Sequence, residues 1–172
     1  NIRRRSRSLN ILSSLLQPEL ELVRQRLNKE ISIRGQQLPG FGWPALKQID
    51  QDFLPSLVLL SSRGQGYFGP RAVYLATVLQ FIFLASLTHN NFKQQLAPVI
   101  LLGDYFYTCS FNILCRDENF EFLEPLSKLI CDINLDAAKL LRNKKQRTGN
   151  PVDGKHLDKL STREYLAVAA TN

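Results

Sequence analysis

The sequence is poor in the residues from which metal and nucleophile sites are built. Its 172 residues include two histidines, His89 and His156, and three cysteines, Cys109, Cys115 and Cys131. An odd number of cysteines with no CxxC spacing excludes a disulfide framework and a thiolate zinc site, and suits a reduced, cytoplasmic setting. Two histidines cannot build a histidine-rich metal site. There is no GxSxG elbow and no recognisable Cys/His pairing for nucleophilic catalysis. Methionine is absent, so the flexible side chain that commonly fills irregular gaps in a core is not available. Residues 53 to 103 contain no Asp or Glu, and Mg²⁺ chemistry needs carboxylates to hold the ion. No segment reads as a secretory signal, because the arginines at 3, 4, 5 and 7 lead into an amphipathic stretch.

Hydrophobic residues make up 44% and charged residues 22%, an ordinary globular balance with length for one domain rather than two. The net charge is +7, and it is concentrated. Arg3, Arg4, Arg5 and Arg7 form one basic cluster; Lys139, Arg142, Lys144, Lys145 and Arg147 form another. Neither has the interleaved aromatics of a single-strand platform, so both read as a solvated tail and loop, and no nucleic-acid partner is expected.

Apolar spacing indicates an all-α chain. Leu9, Leu12, Leu15 and Leu16 form a helical stripe that Pro18 interrupts and Leu20, Val23 and Leu27 resume, giving an amphipathic helix or a kinked pair. Ile31 to Pro44 is a connection rich in Gly and Pro. A second helix is expected from Ala45 to about Ser62 with Pro55 inside it or at a break. Arg71 to Thr88 is apolar on almost every face and reads as a buried central helix rather than a transmembrane span. Pro98 to about Cys115 is expected as a helix interrupted at Gly103 and Asp104, and Asp117 to Asn119 as a turn. Phe122 to Leu141 follows as a helix with Leu123, Leu126, Leu129, Ile130, Ile133 and Leu135 in its core. Arg142 to Lys159 reads as a loop before a last helix from Ser161 to Ala170, where Ser161 and Glu164 have capping-box spacing.

Gly64, Gly66 and Gly69 spell GxGxxG, but the acidic ribose partner and the βαβ units of a dinucleotide fold are missing, so a connection between two helices is expected. Asp132, Asp136 and Lys139 share a helix face and read as a solvated charge cluster.

Four segments, in order, carry a family resemblance. Leu54-Pro55-Ser56-Leu57-Val58-Leu59-Leu60 resembles the "RPALVLL" segment of trans-polyprenyl diphosphate synthases. Ser86-Leu87-Thr88-His89-Asn90-Asn91 is similar to that family's "SLVHDD", the opening of its first aspartate-rich motif. Val99 to Tyr105 is similar to its "VLLAGDYL" helix, and Ser161 to Thr171 to the stretch leading into its lysine-threonine helix. The resemblance spans roughly residues 45 to 172.

The resemblance implies an isoprenoid-synthase-like helical bundle, present in part. A basic arm is expected at 1–8, and a single helical domain at 9–172, incomplete at its C-terminal end. It also implies lost chemistry. Where the family's aspartates hold Mg²⁺ and the allylic diphosphate, this chain has Asn90 and Asn91 beside His89; where an arginine binds the homoallylic diphosphate, it has Leu54. Amides supply oxygen to a cation without the charge that binding uses. The closest likeness is to the small non-catalytic subunit of two-component hexaprenyl or heptaprenyl diphosphate synthases. No residue is then expected in a catalytic or metal-holding role, and Mg²⁺ would belong to a catalytic partner. Leu79, Phe81, Ile82, Phe83, Tyr105, Tyr107 and Phe111 would wall a tunnel for the growing prenyl chain, and Asp104 would remain as a polar site. The expected partners are a catalytic prenyltransferase subunit or a second copy joined through apolar helices. Two other readings stand beside this one: an active Mg²⁺-dependent polyprenyl diphosphate synthase whose key loops are missing from the sequence, and a basic helical module for nucleic acid or anionic membrane.

Overall fold

A computed structural model describes residues 2–32, 48–67, 69–89, 97–116, 118 and 120–148; for 2–13, 48–50, 97–99 and 140–148 the description is of the backbone. Five α-helices and one 3₁₀ turn make up these residues, and no strand is found among them. The helices are α1 (Ile2–Ile31), α2 (Gln48–Gly64), α3 (Pro70–His89), α4 (Ala97–Arg116) and α5 (Leu123–Thr148), with the 3₁₀ turn Phe120–Phe122 before α5. The chain falls into two compact units, Asn1–Thr77 and Val78–Asn172.

In the first unit α1 buries Leu16, Leu20, Val23 and Leu27, the stripe that the spacing predicts, and α2 buries Leu54, Val58 and Leu59. Two ion pairs join these helices, Arg24 Nη2 to Asp52 Oδ1 at 2.7 Å and Arg63 to Glu19. The α1 partner moves back along the chain as the α2 partner moves forward, so the helices run antiparallel. Of the two alternatives, one amphipathic helix or a kinked pair, the structure has the first: Pro18 sits on the exposed side of one continuous helix. A proline costs one backbone hydrogen bond there, and the buried leucines on both sides of it keep the two halves together. Pro55 is likewise inside α2.

Gly64 ends α2, and Gly66 and Gly69 lie in the α2–α3 connection that the sequence leads one to expect. Gly66 (φ 80°) and Gly69 (φ 144°) occupy backbone conformations that side chains disfavour. Pro70 then begins α3, a position where its missing N–H costs nothing.

The core of the second unit is the C-terminal part of α3. Every residue from Val78 to Ser86 is buried, as all-round apolar composition requires. The helix is long and apolar enough to cross a membrane, yet 78% of its apolar window is buried within the protein. Its buried hydroxyls are satisfied locally: Thr77, Ser86 and Thr88 each donate to the carbonyl four residues back, at 2.7 to 2.9 Å. Leu102, Phe106, Cys109, Ile113 and Leu114 are the buried face of α4, with Phe106 against Phe81 at 5.9 Å between ring centroids.

Three expectations need correction. α4 runs uninterrupted through Gly103 and Asp104, because a glycine in a helix costs only about 1 kcal/mol. α5 continues through Arg142 to Thr148, so the second basic cluster is helical rather than a loop. Leu135 is exposed, because it lies about 200° round the helix from buried Ile133. The turn expected at 117–119 is described at Glu118 alone, which has φ 55°; the connection at 33–47 and the last helix from Ser161 lie outside the described residues. Lys139 pairs with Asp136 at 3.0 Å on the exposed side of α5, as the charge pattern indicates.

Candidate functional site

Three helices of the second unit bring their polar residues together at one place. α3 ends on His89, and α4 presents Gly103, Asp104 and Tyr107 within little more than one turn. The imidazole of His89 lies flush on Gly103: a Cβ there would come within 2.5 Å of Nε2 and 2.7 Å of Cδ2. That close approach carries Nε2 to 3.2 Å from Asp104 Oδ1, within hydrogen-bond range. The other face of the contact is aromatic, for Tyr107 stacks on the His89 ring with centroids 5.6 Å apart and planes 18° apart.

The Tyr107 hydroxyl extends the cluster to α5. It lies 3.2 Å from Ser86 Oγ and 3.3 Å from Asn134 Nδ2. Directions follow from proton inventory. The single Ser86 hydroxyl proton goes to the Ile82 carbonyl at 2.9 Å, so Tyr107 must be the donor to Ser86. The Nδ2 of Asn134 can donate only, giving one proton to Tyr107 and one to the Ile130 carbonyl at 2.8 Å. The chain therefore runs one way, from Asn134 through Tyr107 and Ser86 to the backbone of α3.

The sequence singles out His89 and Asp104 separately, and the structure joins them. It also gives Tyr107, expected as apolar wall, a polar role through its hydroxyl. Of the other wall candidates, Leu79, Phe81, Ile82 and Phe83 are buried in the core, while Tyr105 and Phe111 are half-buried. Asn90 and Asn91 lie outside the described residues. Ser86, Gly103 and Asn134 escape sequence reasoning, because nothing in a lone serine, glycine or asparagine announces a partner some twenty residues away.

This arrangement does not suit a Mg²⁺–diphosphate centre. Magnesium asks for several oxygen ligands, whereas the cluster offers one carboxylate already engaged with an imidazole. No group of three His, Cys, Asp or Glu able to hold a metal occurs among the described residues. A cleft of about 440 Å³ lies in the first unit, lined by Glu19, Leu22 and Arg26 of α1 and by Gly69, Pro70, Val73 and Tyr74. There the Arg26 guanidinium sits 3.6 Å from the centroid of the Tyr74 ring, a cation–π contact.

No family model matches the chain. Its structure is similar to that of a decaprenyl diphosphate synthase from Rhodobacter capsulatus, with TM-score 0.67 and 21% identity over 94% of this chain and 55% of that one. The fold is therefore the all-α isoprenoid-synthase bundle, present in part. In sequence the chain is 24% identical over 139 residues to an octaprenyl diphosphate synthase of Haemophilus influenzae. It is 22% identical over 123 residues to an octaprenyl diphosphate synthase of Escherichia coli. These matches take in 70% and 63% of this chain but 41% and 37% of the two relatives, so it spans well under half their length. Distant sequence homology and the shared fold together relate the chain to the trans-polyprenyl diphosphate synthase family.

Proposed function

We propose that the chain is a non-catalytic or regulatory subunit of isoprenoid chain elongation, pairing in the cytoplasm with a catalytic prenyltransferase and helping to shape the tunnel for the growing chain. The observation that carries this reading is what replaces the family's charged residues. Asn90-Asn91 stands where the family's aspartates would be, directly after a His89 tied to Asp104. Leu54, where the family's diphosphate-binding arginine would be, is 1% exposed and part of the core. Neutral amides lack the charge that holds Mg²⁺ with a diphosphate and a buried leucine offers no cation, whereas buried Phe81, Ile82 and Phe83 with half-buried Tyr105 and Phe111 supply apolar wall. The Mg²⁺ and the substrate diphosphates would then belong to the partner.

The test is an assay of prenyl products with and without a catalytic prenyl diphosphate synthase subunit. The chain alone with Mg²⁺, allylic and homoallylic diphosphates is expected to yield no condensation product. Mixed with its partner it is expected to co-purify and to change the rate or length distribution of the product. Turnover by the chain alone would mean an active synthase instead; no binding and no change in product would remove the subunit reading.

A further inference from the structure

The outward face of α1 belongs to neither the core nor the polar cluster. Leu16, Leu20, Val23 and Leu27 are buried on one side, while Leu15 and Leu22 are 59% and 51% exposed. At 100° per residue Leu15 and Leu22 lie about 110° and 130° round the helix from the centre of the buried stripe. Following the same face toward residue 2, at intervals of three, four or seven, gives Leu22, Pro18, Leu15, Ile11, Arg7 and Arg4, all within one continuous helix. Arg3 and Arg5 adjoin Arg4 in sequence but lie about 80° and 120° round the helix from this face, and residues 1 to 18 contain no acidic residue to offset Arg4 and Arg7.

A helical face that is apolar along most of its length and strongly basic at one end matches a surface that is apolar inside and anionic outside. That surface is the headgroup region of an anionic bilayer, where arginines meet lipid phosphates and apolar side chains enter the acyl boundary. A nucleic acid would use the arginines and leave Ile11, Leu15 and Leu22 without a role, and the arginines lack the interleaved aromatics of a single-strand platform. We infer that α1 is a membrane-surface helix that attaches the protein peripherally to anionic lipid. This inference is independent of the subunit reading, because it needs no partner and no prenyl substrate.

Co-sedimentation of the whole chain with vesicles tests it, using phosphatidylcholine alone and phosphatidylcholine with phosphatidylserine in equal parts. Binding is expected to the mixed vesicles and to be much weaker with phosphatidylcholine alone. Each arginine near an anionic surface is worth roughly a fivefold factor, so Arg4→Gln with Arg7→Gln is expected to weaken binding by at least about tenfold. Leu15→Ser with Leu22→Ser, both exposed, is expected to leave the far-ultraviolet circular dichroism unchanged and to lower binding severalfold at a salt concentration that screens the arginines. Equal binding by the native chain and the arginine variant would overturn the inference. So would a leucine variant that binds as well as the native chain, or duplex DNA that competes fully with vesicles; those results would make the face a general polyanion site.

Discussion

His89 rests on Gly103 so closely that position 103 has no room for a side chain, the imidazole Nε2 standing 2.5 Å from where a Cβ would be. The glycine thus sets how α3 ends against α4, and with it the His89–Asp104 bond. Gly103→Ala is expected to displace the imidazole, an overpacking cost of about 1–3 kcal/mol that the gain of about 1 kcal/mol in helix propensity partly offsets. Removing the ring relieves the clash, so in His89→Ala the added Gly103→Ala should cost little. Thermal unfolding of the two single variants and the double variant reads this coupling; additive losses would contradict it.

The one-way chain from Asn134 to Ser86 makes Tyr107 its middle member. Tyr107→Phe keeps the ring on His89 but removes both hydroxyl bonds, with an expected loss of about 1 kcal/mol. Asn134→Ala, at an exposed position, should cost no more than about half as much. Urea denaturation of the two variants checks the order, and a larger loss for Asn134→Ala would show that the chain does not run through Tyr107.

Arg24 gives a pH expectation. Partial burial pulls its pKa down, but the hydrogen bond and charge of Asp52, with a smaller contribution from Glu21, outweigh burial and raise it above the ordinary arginine value. A base whose pKa is raised on folding stabilises fully below its unfolded pKa and loses that contribution only as pH climbs through the folded value. Arg24 should therefore add no slope to stability between about pH 6 and 10. Asp52→Asn is expected to lower stability by about 0.5–1 kcal/mol, equally at both ends of that range. A deficit that grows toward the alkaline end, measured by denaturant titration at several pH values, would assign the slope to Arg24 after all.

The register of α5 can be checked with two residues two positions apart. Ile133 is 4% exposed and Leu135 57% exposed. Ile133→Ala is expected to cost about 2–4 kcal/mol, whereas Leu135→Ala should stay within about 0.5 kcal/mol. Comparable losses would mean that α5 presents a different face.

Where side chains are uniformly apolar, the sequence is easy to read: α3 is plain from composition, since a helix without a polar side has nowhere to lie but inside. It misleads where a local rule is overridden. Pro18 looks like a break, but the leucine stripe on both sides of it packs as one helix. Gly103 looks like an interruption, yet it is there to admit His89 rather than to end α4. Leu135 is apolar like its neighbours, although only helical angle decides which leucine meets the core. At the candidate site His89 and Asp104 could be noticed from their motifs. Their meeting, and the Asn134–Tyr107–Ser86 bonds, depend on how three helices pack, which no spacing within one helix encodes.

The buried stretch from Val78 to Ser86 has a consequence for how the protein is made. While it is being synthesised, α3 emerges before α4 and α5 exist, as a twenty-residue apolar helix of the kind that membrane-insertion machinery accepts. Its hydroxyls are turned back onto their own backbone and do little to mark it as water-soluble. The nascent chain thus faces a race between insertion and the arrival of its later helices, and slow translation just downstream of His89 would lengthen the interval in which the wrong outcome can win.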